Sequence, residues 1–170
     1  MTKRDASWRK AAFYYRRARV NRFLGRTQRA IELCRAAIAL ADYTKARELL
    51  AEIELPGPDY FRVLARLHAH LRPRTYLEIG VFRGDSLRLA GADTLSIGID
   101  PAPRLRKPPR PRARIFTETS GDFFAKHDVV QELGGRRIEL AFIDGLHQFE
   151  FALRDFIDVE RHSEPSAIVL

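Results

Sequence analysis

The chain has 170 residues, of which 45% are hydrophobic and 31% are charged, as in a globular protein of one domain or one domain with an extension. No apolar run is long enough to cross a bilayer, the N-terminal residues lack a secretory apolar core, and the single cysteine excludes an internal disulfide, so we expect a cytoplasmic protein. The net charge of +8 is concentrated in residues 1–50, which carry thirteen Lys and Arg against four Asp and Glu.

The basic N-terminal segment is predicted to be helical. Up to residue 55 it contains one glycine and no proline, and its apolar residues recur at helical spacing. This pattern predicts helices over 5–23, 27–41 and 43–54. Nucleic acid, a membrane surface or an acidic partner would suit its charge, but we favour a solvated helix face. Residues 1–56 are therefore expected to form a helical extension that serves as a lid or a dimer contact.

Residues 55–59, with two prolines and a glycine, mark the boundary to a second domain over 57–170. There a helix that ends before Pro73 is followed by short apolar runs that alternate with helical segments. The predicted strands cover 75–79, 94–99, 114–117, 138–143 and 167–170, and the predicted helices cover 85–90, 121–133 and 149–162. The alternation predicts an α/β fold with a Rossmann-like parallel sheet in the order 3-2-1-4-5. In such sheets, ligands bind beyond the carboxyl ends of the strands.

The first candidate site lies between strand one and the helix after it. Gly80 permits a tight turn that brings the backbone close to a ligand, and Gly84 lets the next helix begin close to that turn. The spacing is G-x-x-x-G, and Phe82 stands where the pyrophosphate turn of nicotinamide enzymes requires glycine. A nicotinamide oxidoreductase is therefore disfavoured, and a turn without a ligand is the simpler alternative.

Two further candidates follow strands two and three. Asp100 closes strand two, 20 residues after Gly80, where an ionised carboxylate can accept hydrogen bonds from both ribose hydroxyls. The alternative is that Asp100, which precedes a proline, only initiates a turn. After strand three, Asp122 is a candidate acceptor for an adenine amino group, and Phe123 a candidate apolar wall. The alternative for this segment is a helix start with Ser120 as N-cap and Asp122 in the first turn. The two interpretations are compatible.

The fourth candidate follows strand four, which the expected topology places beside strand one. Asp144 leaves the end of this strand and is expected to point into the crevice, and His147 follows three residues later. A carboxylate beside an imidazole suits a hard divalent metal with a base next to it. The alternative is a loop acceptor at Asp144 and a surface histidine.

These candidates belong to a combination of three motifs. The motifs are Tyr76-Leu77-Glu78-Ile79-Gly80-Val81-Phe82-Arg83-Gly84-Asp85-Ser86, Ile97-Gly98-Ile99-Asp100 and Phe142-Ile143-Asp144-Gly145-Leu146-His147, and the third is followed by Phe149-Glu150 and Asp155. With them the chain, from about residue 74 to residue 170, resembles the class I S-adenosylmethionine-dependent methyltransferases. More narrowly, it is similar to the small-molecule and sugar O-methyltransferases that include the macrocin and macrolide-sugar methyltransferases.

The resemblance implies a role in cofactor binding for each matching residue. The methionine side of S-adenosylmethionine would be held by Glu78, Gly80, Gly84 and Ser86, with Glu78 near the amino group. Asp100 would hold the ribose. Asp122 and Phe123 would flank the adenine.

The resemblance also implies a reaction. In the metal-dependent members, the aspartate at the place of Asp144 binds Mg²⁺, and the histidine at the place of His147 can act as the base. The methyl group would pass in line from the sulfonium to a hydroxyl of a small-molecule acceptor, while the protein positions the acceptor oxygen and removes its proton.

The sequence departs from the family in strand five. In the family this strand leads to a further acidic pair and two more strands, whereas here the sequence ends within it, so we expect an incomplete sheet and a weak magnesium site. A cofactor-binding module without turnover is therefore the first alternative. The second, a nucleic-acid methyltransferase, is less favoured because the Pro- and Arg-rich segment over 101–114 lacks aromatic residues for base stacking.

Overall fold

The computed structural model describes residues 3–170, with side chains from Ala6 onward, and the chain divides into two units, Met1–Pro58 and Asp59–Leu170. Within the described residues, no helix combines the length and apolarity needed to span a bilayer. Each unit has hydrophobic clusters of its own.

The first unit is a set of three helices: α1 (Lys3–Phe23), α2 (Thr27–Leu40) and α3 (Thr44–Glu54). Its core is built largely from small residues, including Ala11, Ala18 and Ala37, which have no exposed surface. Small side chains let the helices approach closely. Cys34 is buried among them, and burial raises the pKa of its thiol, so this cysteine is a packing residue.

The second unit is a parallel sheet of five strands with helices on its faces. Its strands are β1 (Thr75–Ile79), β2 (Leu95–Ile99), β3 (Ala113–Phe116), β4 (Ile138–Ile143) and β5 (Ser163–Val169). Its helices are α4 (Tyr60–Leu71), α5 (Ser120–Lys126), α6 (Val129–Glu132) and α7 (Phe149–Arg161). The strand order is β3-β2-β1-β4-β5 with parallel pairing throughout, which confirms the predicted fold class and strand order.

Alternate residues of the strands build two cores, one on each face of the sheet. Leu77, Ile79 and Ile97 pack on one face, and Tyr76 and Leu140 on the other. Both faces of the central strand β1 are buried, as expected for a strand of a covered parallel sheet. The carboxyl ends of the strands are thereby fixed at one edge of the sheet.

Three predicted elements differ from the structure. The helix predicted over 85–90 is only a short 3-10 turn at Leu87–Leu89. The helix predicted over 121–133 is two helices, because His127 is extended and Asp128 caps a new helix by accepting bonds from two backbone N–H groups. Strand β5 begins at Ser163, four residues earlier than predicted, and carries a proline that an edge strand tolerates.

His68 is a buried polar side chain on α4. It is 6% exposed, its ring meets the Tyr76 ring edge-on at 4.5 Å, and neither ring nitrogen has a hydrogen-bond partner among the described residues. Burial lowers the pKa of His68 from 6.5 to about 4. The unfolded chain therefore binds a proton on His68 below about pH 6.5, whereas the folded chain binds it only near pH 4. Between these values the free energy of unfolding decreases as the pH falls.

Replacing His68 with Phe is expected to stabilise the protein. Phe keeps an aromatic ring against Tyr76 and removes two unsatisfied nitrogens, a change on the order of 1 kcal/mol at pH 7. The advantage of His68→Phe should grow as the pH falls from 7 toward 4. Thermal melting of both proteins across this range measures it, and because Glu78, whose pKa is about 7, titrates in both, the difference isolates His68. A difference that does not change with pH would contradict the assignment.

Candidate functional site

A cavity of about 590 Å³ opens at the carboxyl ends of the strands. Residues after β1, β2, β3 and β4 line it, together with one side of α7. Its apolar lining includes Ile79, Ile99, Leu146 and Phe151. Of the strand-end candidates, Gly80, Asp100 and Asp144 line this cavity, whereas Asp122 does not.

Gly80 brings the tips of three strands together. Its φ is +90°, its backbone N–H donates to the Ile99 carbonyl oxygen at 2.8 Å, and the Asp144 N–H donates to the Ile79 carbonyl oxygen at 2.8 Å. A Cβ atom at Gly80 would lie 2.2 Å from the carbonyl oxygen of Asp144. Only glycine fits a backbone this close and with this φ.

Asp100 organises the turn beside Gly80. Its Oδ2 accepts from the backbone N–H of Phe82 at 2.6 Å, and its Oδ1 accepts from that of Ala102 at 2.7 Å. Phe82 has a φ of +43°, an uncommon conformation for a bulky residue, and it is 52% exposed and lines the cavity. A carboxylate has about four acceptor positions, so Asp100 keeps two for a ligand.

Asp144 and His147 form a pair at the end of β4. Nε2 of His147 lies 3.7 Å from Oδ1 of Asp144, and both residues line the cavity. The His147 side chain is 83% exposed, whereas burial raises the pKa of Asp144, with His147 opposing the shift. The exposed imidazole is therefore accessible both to a molecule in the cavity and to water.

Three of the four residues predicted for the methionine side, Glu78, Gly84 and Ser86, lie behind the cavity lining, and only Gly80 is part of it. Glu78 is completely buried, and its carboxylate accepts from the hydroxyls of Tyr76 at 2.7 Å and Ser86 at 2.6 Å. Burial raises the pKa of Glu78 to about 7, while these two hydrogen bonds oppose the shift. Gly84 has a φ of +73°, and a Cβ there would meet Leu105 at 2.8 Å. These residues support the turn from the interior of the protein, so Gly80 and Phe82 lie at the surface of the cavity.

Asp122 and Phe123 are not brought to the cavity. Thr119, not Ser120, is the N-cap of α5, and the Asp122 carboxylate accepts from the Thr119 hydroxyl and pairs with Lys126 at 3.2 Å. Phe123 has no exposed surface because it packs with Leu77 and Ile79 in the core on one face of the sheet. The segment instead contributes Thr119 and Ser120 to the lining.

Three lining residues on α7 have no predicted role. Phe151, Arg154 and Asp155 face the cavity from this helix. Asp155 lies 11 residues after Asp144, and the amphipathic pattern of α7 marks it only as a polar residue on the side that faces the sheet. Its spatial neighbour Ser120 is 35 residues away, so local sequence gives no signal for the contact.

The residues around Asp144 offer few ligands for a metal. Within the part of the chain that the structure describes, no group of three or more His, Cys, Asp or Glu side chains is arranged to hold a metal ion. Asp144 and His147 alone are a two-residue pair. Mg²⁺ prefers oxygen ligands in octahedral geometry, which one carboxylate beside an imidazole does not supply.

Comparison with known proteins identifies one family. A family model described as "Methyltransferase domain" matches residues 77–170, which is more than half of the chain. The match begins in β1 and includes the ends of all five strands and the cavity between them. No curated protein gives a significant match.

Proposed function

Because this chain belongs to the methyltransferase-domain family and has the parallel sheet of a class I methyltransferase, we propose that its cavity binds S-adenosylmethionine and that it methylates a hydroxyl of a sugar or other secondary metabolite. The observation that carries the proposal is the convergence of Gly80, Asp100 and Asp144 on one cavity at the strand ends. The family implies the cofactor, and the hydroxyl acceptor is our proposal.

The donor would be held by groups of different chemistry along the cavity. S-adenosylmethionine supplies an electrophilic methyl group on a sulfonium. The close approach of the Gly80 backbone leaves room for the methionine portion beside the turn, with Glu78 beneath it. The two remaining acceptor positions of Asp100 suit a ribose diol. Ile79, Ile99 and Phe151 offer apolar surface to a flat ring.

His147 is proposed to take the proton of the acceptor hydroxyl. Its ring is exposed at the cavity mouth, where an acceptor can reach it. When the imidazole becomes charged, Asp144 at 3.7 Å stabilises it. The hydroxyl oxygen gains nucleophilic character as its proton leaves, and the cavity aligns it with the methyl group.

Magnesium assistance, which the resemblance implied, receives no support from the residues around Asp144. The two-residue pair does not fit a metal site built by the protein, and no step here depends on a metal. We therefore assign the proton transfer to His147 alone.

A titration separates the enzyme from a cofactor-binding module. S-adenosylmethionine and S-adenosylhomocysteine are titrated calorimetrically with and without Mg²⁺, and product formation is followed with a panel of sugar and phenolic hydroxyl acceptors. Binding together with transfer supports the proposal. Binding without transfer to any acceptor would favour the module, and absence of binding would refute both.

Replacing His147 with Ala is expected to lower the turnover number by roughly 100-fold or more while leaving S-adenosylhomocysteine affinity within about twofold. The side chain is exposed and its only ion-pair partner among the described residues is Asp144, so the fold does not depend on it. Initial rates with an acceptor found in the panel, together with calorimetry, measure the two quantities. His70→Ala, on α4 outside the cavity lining, is the matched control. Equal loss of rate and affinity would make His147 a structural residue.

A small-molecule acceptor is favoured over nucleic acid by the Pro- and Arg-rich segment that follows β2. Several of its arginines contact their own unit: Arg106 pairs with Asp85, and Arg110 and Arg112 donate to the carbonyl oxygens of Arg88 and Asp93. The Asp85 carboxylate offsets the charge of Arg106, and the bonds to the carbonyl oxygens occupy guanidinium donors of Arg110 and Arg112 that a phosphate would otherwise use. For the N-terminal helices we propose a role as a lid or a dimer contact, in a cytoplasmic protein.

A further inference from the structure

A shallow groove on the first unit has no part in the proposed function. It has a volume of about 390 Å³ and is lined by residues of α1 and of the turn after it: Phe13, Arg16, Arg17, Val20, Asn21, Leu24 and Arg26. The lining combines apolar side chains with three arginines. All of these residues belong to the first unit, so the groove is formed within that unit alone.

The apolar residues of the groove form an exposed stripe. Phe13, Val20 and Leu24 are 54%, 57% and 54% exposed. Because successive residues of an α-helix are about 100° apart, these three lie within about 40° of one another, on the side of α1 that faces away from the buried Ala11 and Ala18. A solvated helix face, which the sequence alone favoured, accounts for charged residues at this surface but not for a row of apolar ones.

The arginines beside this stripe keep their charge unpaired. Residues 6–26 contain seven Lys and Arg and no Asp or Glu. Arg16, Arg17 and Arg26 form no ion pair with any described residue. Arg16 and Arg17 lie on opposite sides of the stripe, at about 40–60° from its centre. A partner of the stripe would therefore meet positive charge on both of its sides.

The partner of this groove must be anionic and must also take up aliphatic side chains. Nucleic acid offers phosphates, but its apolar surface consists of flat base faces, on which Val20 and Leu24 cannot stack. A second copy of the same groove would bring Arg16 and Arg17 close to their own equivalents, which repel them. An anionic phospholipid bilayer meets both requirements, because its phosphates attract arginines and its interface accepts apolar side chains.

We propose that the groove on α1 binds the surface of an anionic phospholipid membrane. Its three arginines contact the lipid phosphates, and Phe13, Val20 and Leu24 enter the boundary between the headgroups and the acyl chains. The long arginine side chains reach the phosphates while the apolar side chains lie deeper. Membrane affinity rises with the apolar area buried and with the charge, and the stripe is narrow. Both parts are therefore required, and the association is reversible.

Flotation of the full chain with lipid vesicles tests the proposal. Vesicles of pure phosphatidylcholine are compared with vesicles in which roughly a third of the lipid is phosphatidylglycerol. The native chain is expected to float only with the anionic vesicles, and its binding is expected to fall as the salt concentration rises.

Two double variants remove the two parts of the groove separately. Arg16→Gln with Arg17→Gln should weaken vesicle binding at least about 10-fold, because each arginine near the surface contributes about fivefold. Val20→Gln with Leu24→Gln should weaken it several-fold without a change of charge. All four side chains are exposed, so both variants are expected to fold. Should either fail to fold, Arg16→Gln alone or Val20→Gln alone takes its place and should weaken binding at least about threefold.

The matched control for charge is Arg29→Gln with Arg35→Gln. It removes the same charge from α2 of the same unit, outside the groove lining, and should keep vesicle affinity within about threefold of the native value. An equal loss in this control would show that the overall charge of the chain is responsible, and the proposal would be overturned.

Three other results would also overturn the proposal. The first is an absence of binding to the anionic vesicles. The second is unchanged binding in Val20→Gln with Leu24→Gln, which would mean that the apolar stripe does not enter the membrane. The third comes from a single-stranded RNA oligonucleotide titrated in parallel: if the chain binds the RNA through Arg16 and Arg17 but does not bind the vesicles, the groove is a nucleic-acid site.

Discussion

Gly80→Ala is expected to destabilise the second unit by roughly 2–6 kcal/mol and to abolish detectable binding of S-adenosylhomocysteine. The methyl group would lie 2.2 Å from the carbonyl oxygen of Asp144 and 2.5 Å from its carbonyl carbon, which are backbone atoms without a rotamer to change. The positive φ of Gly80 adds about 1–3 kcal/mol for any residue with a Cβ, and the overlap adds about as much again. The relief of the overlap must separate β1 from β4, which opens the cavity.

Gly135→Ala is the control for this prediction. Gly135 has a φ of +80°, close to that of Gly80, but a Cβ there would meet nothing within 4 Å. It therefore reports the backbone effect alone. Thermal melting should show a decrease on the order of 10 °C for Gly80→Ala and a clearly smaller one for Gly135→Ala, with ligand affinity retained only in the latter. Equal decreases in the two variants would mean that the contact between Gly80 and Asp144 does not hold the strand tips together.

The fold was predictable because its strands can be recognised in the sequence. The predicted bounds of β1 and β4 match the structure, since each strand is a short run of mostly apolar residues and turn residues such as Gly80 and Asp144 follow it directly. The parallel order then follows from the alternation with helices. Residues at strand ends, such as Asp100, are placed by topology alone, so their meeting at one cavity could be anticipated.

The side of the cavity formed by α5 and α7 could not be predicted in the same way. Asp122 stands at the start of a short helix, where moving the N-cap by one residue turns every side chain by about 100° around the axis. Because the cap is Thr119 and not Ser120, Asp122 turns to the cap and to Lys126. Asp155 reaches the cavity only through the packing of α7 on the sheet, a long-range contact that no local pattern records.

Asp100→Ala is expected to weaken S-adenosylhomocysteine binding by roughly 1–3 kcal/mol, which corresponds to about 5- to 150-fold. The structure gives Asp100 two tasks, because the carboxylate that would hold the ribose also accepts from the backbone N–H groups of Phe82 and Ala102. Calorimetry on this variant alone therefore cannot separate ribose binding from support of the turn.

Phe82→Gly in the Asp100→Ala background separates the two tasks. Glycine adopts a φ of +43° without strain, so the turn no longer depends on the Asp100 carboxylate to hold Phe82 in that conformation. If Asp100 binds the ribose, the double variant stays at least about fivefold weaker than Phe82→Gly alone, because two ribose hydroxyls still lack their acceptor. If Asp100 only supports the turn, the double variant and Phe82→Gly bind with equal affinity, and the ribose assignment is wrong. The free energy of coupling between positions 82 and 100 thus separates two parts of the affinity lost in Asp100→Ala. One part comes from the weakened turn, and the other from the lost contact with the ligand.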